Sequence, residues 1–150
     1  MANLYAWPLH DKERTVLEIK YAVKTYSGDL KRFPDLLKMS IPEYYNHVKN
    51  IPYSRDVKSA EVVSRPLYLL TVFPSLDCKK KAILMASFML LKYGPDSFRY
   101  VLSSNRPDGA IGHIFTQIFD GQKWINADAT YNYNRLGAPK KVTSFQIVRG

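Results

Sequence analysis

The sequence predicts an α+β domain: N-terminal helices and a buried central helix packed on an antiparallel sheet. Three observations point there. Helical periodicity dominates the early chain, a long apolar run stands in the middle, and alternating strand-like segments follow it. A length of 150 residues with 46% hydrophobic content suits a single domain, residues 1–150, with one real core.

Residues 11–27 read as the first helix. Asp11 is the N-cap candidate, Val16, Ile19, Ala22, Val23 and Tyr26 recur at helical spacing, and Gly28 is the stop. Pro34-Asp35-Leu36-Leu37-Lys38-Met39 supports one or two further turns, since proline is tolerated at a first helical position. Ser40-Ile41-Pro42-Glu43 has capping-box spacing and opens a third helix. There Tyr44, Tyr45 and Val48 point inward, His47 and Lys49 face water, and Asn50 to Pro52 end the element. Arg65 to Phe73 is an apolar approach, either a short helix or an extended segment, that fixes where the next element emerges.

Next comes Asp77-Cys78-Lys79-Lys80-Lys81, then the apolar run Ala82 to Leu91, closed by Gly94-Pro95. The run is too short for a bilayer, which takes about 20 apolar residues. Its Ala, Leu, Met and Phe content favours helix, and its apolar character nearly all round marks it as the central buried one. Cys78 falls in its first turn, with Asp77 or Ser75 as N-cap. Phe98, Tyr100 and Leu102 then alternate with Arg99, Val101 and Ser103 as a strand, and Asn105 to Gly109 reads as a turn that can rim a cleft. Residues 113–119 and 123–130 flank Asp120-Gly121, a strong hairpin signal. Val142 to Val148 reads as a final edge strand.

The lone cysteine sits where unpaired amide N–H groups and the helix dipole favour a thiolate, the form that attacks. Lys79, Lys80 and Lys81 are unusual at a helix start and read either as a field acting on that thiol or as a solvated charge run. If Asp120-Gly121 make a two-residue type I′ turn, Phe119 pairs with Gln122. Counting back along both strands then sets His113 directly opposite Asp128. Opposed side chains share a sheet face with Cβ atoms about 5 Å apart, close enough for a carboxylate to accept from an imidazole N–H. A four-residue loop keeps the face and makes the pair diagonal, whereas a three-residue loop changes the parity.

Cys78, His113 and Asp128 are therefore the candidate nucleophile, base and orienting acid. Each has a plainer reading: a small buried hydrophobe, a satisfied strand histidine, and a cap for the turn at Tyr131 to Asn134. Trp124, on the same face as Asp128, and Asp77, beside the thiol, are candidates for lining the cleft, with core packing the stronger reading for Trp124. The backbone N–H of Cys78 is a natural oxyanion donor.

At these residues the sequence resembles the transglutaminase-like superfamily, the papain-related group of transglutaminases, peptide N-glycanase-type amidases and bacterial cysteine peptidases. The resemblance lies in Asp77-Cys78 opening a Lys-Ala-Ile-Leu helix, in Gly112-His113 at a strand start, and in Trp124 to Thr130. It spans roughly Tyr53 to Leu136, with Ile51 to Asp56 like the segment preceding the nucleophile helix. Leu76 stands where the family usually has glycine, and lysines follow the cysteine where acidic residues are common.

The resemblance implies a papain-like core, Tyr53 as a second oxyanion donor, and thiol-dependent acyl transfer on a protein or peptide amide without a cofactor. Water would make that a peptidase or amidase, and an amine would make it a cross-linking enzyme. Hydrolysis is favoured because the chain has no counterpart of the calcium-type acidic loop of animal transglutaminases. The superfamily also contains members that have lost catalysis. The alternative, from another class, is thus a silent binding or structural component of a larger assembly such as a phage particle.

The net charge of +9 suggests an acidic partner surface. The cations are spread along the chain apart from Lys79 to Lys81 and Lys140-Lys141, and no helix-turn-helix, zinc-finger or RNP signature appears, so nucleic acid is the weaker reading. His10 and His47 have no cysteine or carboxylate at ligand spacing, and no metal site is expected. One cysteine precludes an internal disulfide. Met1 to Pro8 lacks a basic n-region and an apolar h-region, so the expectation is a cytoplasmic protein, or one carried within a larger particle, with no membrane partner.

Overall fold

Helical periodicity and apolar content build the first part of the chain as anticipated, and the computed structural model gives the bounds. It describes residues 9–55 and 64–150, with side chains from residue 12 onward. Asp56 and the side chains of His10 and Asp11 lie outside the described residues.

Helix α1 (Leu9–Tyr26) begins before Asp11 and buries Ile19, Ala22 and Val23. Gly28 does not end the helical path. A 3-10 helix, Ser27–Arg32, continues it and buries Asp29. That carboxylate explains the continuation: it accepts from Arg65 Nε at 2.9 Å, Arg65 Nη2 at 2.7 Å and the Leu67 N–H at 3.0 Å. The acceptor is thereby locked to the start of a later helix, and the ambiguous approach Arg65 to Phe73 resolves as helical over Pro66–Thr71.

A short α2 (Pro34–Leu37) leads to α3 (Ile41–Lys49). Its capping box is complete, with Ser40 Oγ accepting from the Glu43 N–H at 3.3 Å and Glu43 Oε1 accepting from the Ser40 N–H at 2.9 Å. Tyr44, Tyr45 and Val48 point inward, and the two buried hydroxyls find carbonyls: Tyr44 donates to Leu84 O at 2.8 Å and Tyr45 to Asp128 O at 2.7 Å. Lys49 does not simply face water. It is half-buried and donates to Asn134 O at 3.1 Å.

Pro66–Thr71 is α4, and α5 is Cys78–Tyr93. Asp77 caps α5, its Oδ1 accepting from the Lys80 N–H at 3.0 Å, and Gly94 ends it at φ +95°, which a side chain would disfavour. Every residue from Lys79 to Met89 is buried, because α1, α3 and α4 pack on this helix as well as the sheet.

The three lysines at its start are therefore inside, neither a solvated run nor loose charges around the thiol. Lys79 Nζ lies 2.9 Å from Asp77 Oδ2 and Lys80 Nζ lies 3.8 Å from Asp77 Oδ1. Lys81, 1% exposed, donates to three carbonyls: Lys49 O at 3.2 Å, Ile51 O at 2.6 Å and Thr130 O at 2.9 Å.

Four strands, β1 (Phe98–Ser104), β2 (His113–Phe119), β3 (Trp124–Ala127) and β4 (Ser144–Arg149), form one antiparallel sheet in the order β3-β2-β1-β4. The fold class is thus α+β. β4 is an edge strand, and Phe98, Tyr100, Leu102, Ile114 and Ile118 join the core under α5. The β2–β3 register differs from the two-residue-turn expectation. Phe119 pairs with Trp124 and Thr116 with Ala127, leaving Asp120 to Lys123 as a four-residue loop. Asp120 is the cause: its Oδ1 accepts from the N–H groups of both Gln122 and Lys123 at 2.8 Å, which holds the wider loop closed.

No helix among the described residues is long and apolar enough to cross a membrane.

Lys81→Met keeps the volume and removes the ammonium, leaving three buried carbonyls without their donor. It is expected to lower unfolding free energy by about 2–4 kcal/mol, read as the urea midpoint. A variant as stable as the wild type would show that the ammonium does not tie these segments together.

Candidate active site

Three chain segments meet at the start of α5, each held by its own backbone device. Cys78 occupies the first helical position, where its N–H has no carbonyl four residues back to bond. The stretch before it is fixed by an isolated parallel bridge between Tyr53 and Leu76, with Leu76 N–H donating to Pro52 O at 2.9 Å and Ser54 N–H to Leu76 O at 3.1 Å. Leu76 is fully buried, so the position that is usually glycine in the resembled family here anchors the core. Asp128 follows the last residue of β3. Its carbonyl accepts from Tyr45 Oη at 2.7 Å and Asn134 Nδ2 at 3.1 Å, which fixes the carboxylate's origin.

The wider loop makes His113 and Asp128 a diagonal pair on one sheet face, a separation that long side chains still bridge. His113 Nε2 lies 2.9 Å from Asp128 Oδ2. The side chain of Cys78 also lies near the ring and, with Asp128, favours its protonated form. Burial alone would strip the proton from His113. The charge and hydrogen bond of Asp128, aided by Cys78, outweigh that and hold the imidazolium well above its ordinary range. Asp128 moves the opposite way: burial pushes it up, but His113 and Lys140 hold it well below the usual carboxylate range.

Lys140 is the residue that sequence reasoning missed. Its Nζ lies 2.5 Å from the same Asp128 Oδ2 that His113 uses, while Oδ1 accepts from the Thr130 N–H at 3.1 Å. The only sequence signal was the doublet Lys140-Lys141, which carries no hint of a partner twelve positions earlier. Tyr131 was also missed as a site residue. Its ring packs against Tyr53 with centroids 4.8 Å apart, and it lies 6.5 Å from the His113 ring at 14°. The two phenols lie near enough to each other and to Cys78 to affect one another's ionisation. Burial and the nearby Cys78 raise the Tyr53 phenol above its ordinary value, which keeps it protonated.

Behind the thiol, Cys78, Lys81, Met85, Phe115, Asp128 and Thr130 line a crevice with no room for a water molecule. Lys81 is pulled down to about 8 by burial, with the charge of Asp128 opposing.

Two candidates for lining the cleft are placed elsewhere. Asp77 is 3% exposed and turned onto the helix start, where the Lys80 N–H and the Lys79 and Lys80 ammonium groups engage it. Trp124 lies at the opposite end of β3, against Phe119 and beneath the Arg99 guanidinium at 4.2 Å. Among the described residues, no group of three His, Cys, Asp or Glu side chains is placed to hold a metal ion. Compared with protein-family models, with curated proteins and with solved structures, the chain matches none.

The sharing of Oδ2 gives a signed expectation. Removing the Lys140 cation relieves repulsion and frees the carboxylate, so Lys140→Met moves the His113 titration midpoint upward. Asp128→Asn removes the counter-charge and moves it downward. Imidazole 15N chemical shifts followed against pH read both. Midpoints unchanged in the two variants would show that the carboxylate does not govern the ring.

Proposed function

We propose that this protein carries out thiol-dependent acyl transfer on an amide, with hydrolysis as the outcome: a cysteine peptidase or amidase of transglutaminase-like type. The observation that carries the reading is the imidazole of His113, with Asp128 on one ring nitrogen at 2.9 Å and the side chain of Cys78 near enough to act on its charge. A base oriented by a buried carboxylate beside a thiol at a helix start is the arrangement from which a thiolate–imidazolium pair attacks.

In the first half-reaction the sulfur of Cys78 bonds to the amide carbon and the carbonyl oxygen takes the negative charge. The Cys78 N–H and the Tyr53 hydroxyl are the donors suited to that oxygen. His113 gives its proton to the amine as the C–N bond breaks, leaving a thioester. Water then attacks the thioester carbon, its proton passes to His113, the C–S bond breaks and the thiolate–imidazolium pair returns. Asp128 stays ionised and orients the ring.

One observation favours a second reading, a silent binding or structural domain. Lys140 approaches Asp128 Oδ2 more closely than His113 does, 2.5 Å against 2.9 Å, and a carboxylate shared in this way supports its imidazolium less.

Alkylation separates the two. For the acyl-transfer reading, iodoacetamide modifies Cys78 at pH 6 roughly tenfold or more faster than a free cysteine, and His113→Ala removes the advantage. Peptide hydrolysis by the wild type is abolished in Cys78→Ala. A thiol no faster than free cysteine, with no cleavage of any peptide, leaves only the silent domain.

A further inference from the structure

The His113 ring also forms part of the wall of a second cleft, about 160 Å³ in volume, which Cys78 does not line. Its walls come from the end of β1, from the segment after β3 and from the approach to β4, and include Ser104, Asn105, Tyr131, Lys140 and Lys141. No acidic residue lines it among the described residues. Lys140 is already committed to Asp128, but Lys141 is exposed and has no carboxylate partner among the described residues. Lys140 and Lys141 also face a neighbouring cleft together with Arg135 and Asp128. Hydroxyl and amide groups, from Ser104, Asn105 and Tyr131, complete a lining rich in donors.

The position of the cleft says which half of a substrate reaches it. In acyl transfer the proton goes from the imidazole to the departing amine, so that half lies on the imidazole side, while the acyl half stays on the sulfur. A cleft walled by His113 but not by Cys78 therefore belongs to the amine half. Its volume has room for one side chain rather than an extended ligand.

Resting on the acyl-transfer reading, we propose that this cleft seats a carboxylate on the leaving-amine half of the substrate, with Lys141 as its counter-ion. That carboxylate comes from one of two sources. It is the side chain of an acidic residue directly after the scissile amide, or the free α-carboxylate of a C-terminal residue released by the cleavage. Both present the same planar anion to an ammonium group and neutral donors.

Two probes test the field without any substrate. Iodoacetate and iodoacetamide attack Cys78 by the same displacement and differ only in charge. The ratio of their rates is expected to fall about three- to tenfold in Lys141→Glu and to be retained in Lys141→Arg. An unchanged ratio overturns the carboxylate cleft and leaves acyl transfer standing. A thiol unreactive to both probes overturns acyl transfer and the cleft with it.

Digestion of a mixed peptide library by the wild type, with products read by mass spectrometry, then tells the sources apart. Enrichment of Asp or Glu after the cleaved bond supports the side-chain source. Release of single C-terminal residues from free-acid peptides, but not from their amides, supports the α-carboxylate. Cleavage indifferent to both overturns the proposal. A library left intact by a thiol that alkylates normally overturns the amide-hydrolysis reading on which the proposal rests.

Discussion

A single ammonium group in the interior ties together the segments that build the candidate site. Lys81 Nζ reaches the carbonyls of Lys49, Ile51 and Thr130, which belong to the end of α3, the stretch between α3 and α4 that leads to Tyr53, and the segment just after β3. Those are the pieces that deliver Tyr53 and Asp128 to the start of the helix bearing Cys78. A buried cation is costly unless its protons are all satisfied, and three carbonyls match the three N–H bonds of an ammonium group. A core of apolar residues alone would pack these segments. Directional donors specify how far each approaches the others.

Around that clamp the charges are arranged in short circuits rather than as a diffuse basic surface. Asp77 absorbs Lys79 and Lys80, Asp29 absorbs Arg65, and Asp128 is divided between His113 and Lys140. Asp128 is the only carboxylate among these that also faces an imidazole, and every group that touches it favours its ionised form. The site thus pairs its imidazole with one buried anion, Asp128, that a lysine shares. Its electrostatics follow from how that anion is shared, more than from the net charge of the chain.

Much of this was legible in the sequence, and the exceptions have physical reasons. The central helix could be read from the run Ala82 to Leu91 and the stop at Gly94, because composition and a left-handed glycine are local properties. The meeting of His113 and Asp128 was legible through parity. Changing the hairpin loop from two residues to four shifts the register by an even step and keeps the face, so the pairing detail was off and the shared face was right. The fates of Lys79, Lys80, Lys81 and Lys140 were not legible. Whether a lysine is solvated or interior depends on acceptors tens of positions away, such as Thr130 O for Lys81, and no spacing rule encodes those. Gly28 misled for the same reason, since Asp29 is held by an arginine beyond the horizon of any helical pattern.

The dry wall behind the sulfur has a consequence for traffic. With Met85, Phe115 and Thr130 around it and no space for solvent there, nothing the size of a water molecule reaches the thiol through that crevice. Under the proposed chemistry the departing fragment and the incoming nucleophile both use the sides of the thiol that this crevice leaves open. Whatever then reaches the acylated thiol, solvent or an amine, decides whether a bond is cut or exchanged.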